Sequence, residues 1–150
     1  MANRRKSREF ALQVLFQLDM TKQDAAYGFA QIKENFLKKE ENVEFSERIV
    51  LGIVEHSKEI DHLIEQFSEN WRIDRMSIID RNILRMGIFE LLYCEDIPPK
   101  VTINEAIDLG KKYGSEDSGS FINGILDRIQ NEVVRKPIEP KKVRANGDSD

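Results

Sequence analysis

The groups from which this chain could build a catalytic or metal site are two histidines, one cysteine and 27 acidic residues. His56 and His62 are six residues apart, about 240° of rotation on a helix, so they do not share a face as an i, i+4 ligand pair would. Solvated or partly packed histidines are the simpler reading. Cys94 falls late in an apolar stretch with no histidine nearby to activate it, and reads as a small buried hydrophobe. There is no glycine-rich phosphate loop and no G-x-S-x-G elbow. In a chain so rich in acids, paired carboxylates arise by chance. The expectation is a non-enzyme with no cofactor and no metal.

Charge is more informative. Arg4, Arg5, Lys6 and Arg8 put +4 on the first eight residues, so with a net charge of −4 the rest of the chain carries −8. On a helix Arg4 and Arg8 share one face, while Arg5 and Lys6 fan to the sides. Such a cluster can grip several phosphates of a flexible strand, and arginine adds stacking on unpaired bases. The plainer alternative is a solvated N-terminus that keeps the protein soluble. Four phosphate contacts to a single strand imply a log–log salt slope of about −2.8, a roughly fiftyfold loss from 50 to 200 mM. Four contacts alone do not give specific binding.

The stretch "GSEDSGSFINGILDR", residues 114–128, combines a helical stripe with an Asn123-Gly124 pair that weakens a helix. Gly124 could let another helix approach, or the polar run before it could form a helix mouth that receives a phosphate or base edge. Phe121 could likewise be a core residue or an exposed stacking platform.

These residues need elements to hold them. With 150 residues, 40% hydrophobic and 33% charged, the chain suits one soluble domain. A lone cysteine and the absence of a long apolar run point to a reducing cytoplasm and no membrane, and "MANRRKSREF" lacks the apolar core of a secretory leader. Helical periodicity predicts helices over about 4–20, from an Asp24 N-cap to about 37, and one long helix over 44–70. "WRIDRM" (71–76) reads as a short turn or helix. Ser77 with Asp80 forms a capping box for the next helix, which "DIPPK" ends. Thr102 with Glu105 then opens a helix to about 113, and a last one spans 117–134. Residues 135–150 read as a mobile tail. The expected fold is all-α, about seven helices in a single 1–134 domain.

Three segments carry a family resemblance. "KVTINEAIDLGKKYGSEDSGSFINGILDRI" (100–129), "RRKSREFALQVLFQLD" (4–19) and "NWRIDRMSIIDRNILRMGIFELL" (70–92) together resemble the NusB family of bacterial antitermination factors, in its order and spacing. The resemblance implies two small helical bundles that bind box A, a single-stranded RNA element of ribosomal RNA transcripts. It implies a partner, NusE, a small-subunit ribosomal protein, and then other Nus factors and RNA polymerase, with no catalysis and no cofactor. Some members form homodimers that occlude the RNA surface. By motif position, Arg4, Arg5, Lys6 and Arg8 match the phosphate-gripping segment, and Asp117, Ser118 and Phe121 the second part of the RNA site. Asp80 falls in the NusE-facing region. Arg75, Arg81 and Arg85 fit the motif but suit structural ion pairs equally well. Ser120 stands where the family commonly has lysine, which puts one phosphate contact in doubt. On this reading Gly124 serves close packing behind an RNA-facing helix mouth. Two other classes compete: an enzyme fragment, since some RNA cytosine methyltransferases carry a NusB-like domain, and a scaffold that kept the fold without the RNA. The chain's end at 150 and the lack of an adenosylmethionine-binding motif oppose the first, and the intact basic segment the second.

Overall fold

The computed structural model describes residues 4–22, 24, 27–28, 30, 43–69 and 71–134. Among them are six α-helices and no strand: α1 (Arg4–Thr21), α2 (Glu44–Glu55), α3 (Ser57–Phe67), α4 (Ile78–Tyr93), α5 (Pro99–Tyr113) and α6 (Ser118–Ile129). A 3₁₀ turn at Ile73–Arg75 precedes α4, and a π turn at Gln130–Val134 closes α6. No described helix is long and apolar enough to cross a membrane. Asp24 does accept a cap hydrogen bond from the Tyr27 N–H at 3.2 Å, but the rest of the helix expected there lies outside the described residues, as does the 135–150 tail.

Helix α4 is the axle. The Ser77 hydroxyl caps it by accepting from the Asp80 N–H at 3.0 Å, as the capping box predicts. Its buried set, including Ile83, Leu84, Met86, Ile88, Phe89 and Leu91, covers all sides rather than one stripe. A helix apolar all round must be enclosed, and α4 packs against each of the other five. Glycines permit two of these approaches: a Cβ on Gly52 of α2 would sit 2.2 Å from Cε1 of Phe89 on α4, and one on Gly87 would sit 2.7 Å from Cδ1 of Leu126 on α6.

Three expectations are corrected. The long 44–70 helix is two helices broken at His56, whose φ of −110° and ψ of 25° leave the helical region. The apolar stripe stays in phase across the break, so periodicity hides it; the halves serve different neighbours, α2 packing on α1 and α4, and α3 on α4 and α6. Helix α5 starts at Pro99, not at Thr102. Proline suits the first helical position because that N–H has no intrahelical acceptor. Thr102 is therefore inside the helix, its buried hydroxyl donating to Glu90 Oε1 at 2.7 Å. Finally, Gly124 packs against nothing. It is exposed, and a Cβ there would meet no atom within 4 Å.

Candidate nucleic-acid interface

Basic residues in the first turn of a helix oppose its macrodipole, and α1 begins with them and has no acid of its own there. Other elements provide the acids. Arg4 Nη2 lies 3.4 Å from Asp96 Oδ2, whose other oxygen accepts from Arg48 at 3.0 Å. The Arg48 hydrogen bond holds the Asp96 carboxyl below its usual range. Arg5 Nη2 donates to Glu105 Oε2 at 2.9 Å and to Asp108 Oδ2 at 3.1 Å, both on α5. Lys6 is exposed.

Arg8 is the exception to the expected grip. Its side chain is 5% exposed and forms a fork on Glu90, itself 2% exposed, with Nε–Oε2 at 2.8 Å and Nη2–Oε1 at 2.9 Å. Arg4 and Arg8 do share a face, with both guanidinium groups over the Phe45 ring at 4.3 and 5.3 Å, but Arg8 is buried there while Arg4 stays exposed. The basic segment thus divides into three exposed cations and one buried anchor.

The mouth of α6 is built from hydroxyls. Ser115 and Ser118 form a reciprocal turn: the Ser115 N–H donates to Ser118 Oγ at 2.9 Å and the Ser118 N–H to Ser115 O at 3.1 Å. The buried Ser118 hydroxyl then donates to Asp80 Oδ1 at 2.6 Å. Two residues assigned to separate surfaces by resemblance, Ser118 and Asp80, are therefore hydrogen-bonded partners joining α6 to α4. Asp117 is exposed and its carboxylate caps nothing; Ser120 is exposed and Phe121 is half-buried against the core. Helix α5 lies between the two regions. Its Lys112 donates to Glu9 of α1 at 2.7 Å, and the Lys111 stem runs past Gly119, 3.3 Å from where a Cβ would be. Glu105, Asp108 and Lys112 mark one polar face of α5, visible in their spacing; their partners on α1 are not.

The remaining candidates hold the fold. Arg81 forks Asp19 of α1 at 2.8 and 2.8 Å, and Arg85 bridges Asp19 at 3.1 Å and Asp61 at 2.9 Å. The Arg81 hydrogen bonds keep the Asp19 carboxyl far below its usual range. Arg75 is exposed in the 3₁₀ turn. His56 stacks on Tyr93 with ring centroids 4.1 Å apart, and His62 is exposed. Among the described residues no group of three or more His, Cys, Asp or Glu side chains could hold a metal. Cys94 is buried, which pushes its thiol up to about 11, out of the range of a nucleophile.

Comparisons with known proteins bear on the family. A family model described as the NusB family matches residues 5–131. The transcription antitermination protein NusB of Myxococcus xanthus is 50% identical over 133 residues, 86% of this chain and 95% of that protein. The solved structure of T. maritima NusB superposes with a TM-score of 0.82 at 39% identity, covering 89% of this chain and 95% of that one. A solved complex of the antitermination factors NusB and NusE with dsRNA matches with a TM-score of 0.76 at 32% identity, over 85% of this chain and 96% of that one.

Proposed function

The chain belongs to the NusB family, and we propose that it is a cytoplasmic transcription antitermination factor working through residues 1–134. It binds box A RNA of ribosomal RNA transcripts together with NusE, and with other Nus factors helps RNA polymerase read through terminators. It catalyses no reaction and uses no cofactor. The observation that carries this reading is 50% identity to a protein of that name across nearly its whole length. The geometry supports it: Arg4, Arg5 and Lys6 are exposed at the start of α1, where Arg5 meets α5, and Asp117 is exposed and Phe121 half-buried at the start of α6, which packs on the same helix. A strand laid across α5 reaches both. Phosphates go to the first edge and an unpaired base to Phe121. Arg8 and Ser118 are positioning residues, the first docking α1 and the second fixing the α6 mouth on Asp80. Three exposed cations imply a salt slope of about −2.1.

The test is a fluorescence anisotropy titration with single-stranded box A-like RNA, a scrambled strand and a duplex, with and without NusE, at two salt concentrations. Sequence preference sharpened by NusE is expected, together with a flatter salt slope when Arg4, Arg5 and Lys6 are all changed to alanine. Binding to none of the RNAs even with NusE would overturn the reading and leave a scaffold.

A further inference from the structure

We propose that Asp96, Glu105 and Asp108 act as internal counterions to the basic end of α1, which RNA must displace to be held; this rests on the RNA-binding reading above. Arg4 is held by Asp96, and Arg5 by Glu105 and Asp108 together. Nearby, Arg8 is cancelled by Glu90. The three arginines of the first eight residues are therefore matched at home, Arg4 and Arg5 by acids from α5 and the turn before it and Arg8 by one from α4. The Arg5 side chain is 58% exposed and that of Asp108 50%, so this pair is open to solvent and can exchange partners. Glu105 is more enclosed, and its second oxygen lies 4.0 Å from Arg8 Nη1, which ties it to the buried anchor.

When a phosphate replaces a carboxylate on Arg5, the freed carboxylate recruits a cation from solution. That uptake offsets the counterions released by the RNA, so both affinity and salt dependence fall below what three bare cations would give. Asp108 is thus an affinity- and salt-setting residue of the grip, not a contact of it.

The experiment compares the full chain, Asp108→Asn, Asp96→Asn and Asp127→Asn, with NusE, titrating the box A-like strand from 50 to 200 mM salt. Asp127 is exposed on α6, where its carboxylate accepts from Asn131 at 3.4 Å, so it controls for net charge. Thermal unfolding checks that each variant is folded. Asp108→Asn and Asp96→Asn are expected to bind about two- to fivefold tighter at low salt, with slopes steeper by up to about 0.7 each, while Asp127→Asn matches the parent. If the parent binds but the first two variants match it, or Asp127→Asn gains as much, the counterion role is overturned and RNA binding stands. If no protein binds RNA, both fall together.

Discussion

The two edges of the proposed interface hold their residues in opposite ways. At the N-terminus of α1 every arginine has a carboxylate partner, and a ligand must break ion pairs to be gripped. At the N-terminus of α6 the Ser118 hydroxyl turns inward to Asp80, while Asp117 is exposed and Phe121 half-buried, and among the described residues no ion pair ties this mouth. On the proposed reading the first edge would make RNA binding salt-sensitive, and the second would add stacking that salt does not screen. On that reading a conspicuous charge cluster would be the weaker half of the proposed site, since exchanging one partner for another gains less than filling an empty place.

The largest effect comes from removing the anchor of the first edge. Glu90→Ala leaves the Arg8 guanidinium buried without its partner, and is expected to cost about 3–5 kcal/mol in urea unfolding. An effect near zero would mean that α1 is docked by its apolar stripe alone.

At the other end of α1, Asp19 is clamped by Arg81. Its carboxyl has a folded pKa below the unfolded value, so its contribution is full above roughly pH 4–5 and is lost as pH falls towards the folded pKa. Asp19→Asn is expected to cost about 1.5–3 kcal/mol at pH 7. Its stability profile between pH 5 and 2 should be flatter than the parent's, read by chemical denaturation across that range.

Phe121→Ala separates the two edges by mechanism. RNA affinity is expected to fall by about 1–3 kcal/mol, by the same factor at 50 and 200 mM salt. A loss that shrinks at high salt would reassign the residue to the electrostatic half.

The smallest effect is at Gly124. Because a Cβ there meets nothing, Gly124→Ala should raise stability by about 0.5–1 kcal/mol in thermal or urea unfolding. A destabilised variant would mean that the open helix face is needed.

Local signals were legible in the sequence and partnerships were not. The Ser77 cap, the 3₁₀ turn, the end of α5 and the extent of α6 follow from capping chemistry and apolar spacing, which involve residues three or four apart. The break at His56 leaves the stripe in phase, so no periodicity marks it. Thr102 fits a capping box in sequence, but Pro98-Pro99 starts the helix earlier and Glu90, on another element, takes its hydroxyl. The same limit applied to the site. Arg8 looked like its neighbours, because nothing within a few residues shows that Glu90 will meet it. Gly124 stood out as the packing glycine of α6, whereas close contacts to that helix are made by Gly110 of α5 and by Gly87 of α4, the latter 37 positions away in the chain.

The Arg8–Glu90 pair spans 82 positions, and this separation sets a clock during synthesis. At about 5–20 residues per second, Arg8 is added to the growing chain some 4–16 s before Glu90. For that interval α1 is an amphipathic segment with a basic head and no α4 to dock on. Each nascent chain therefore carries uncompensated arginine beside the ribosome's own phosphates, and becomes the quieter, self-neutralised molecule only when α4 and then α5 arrive.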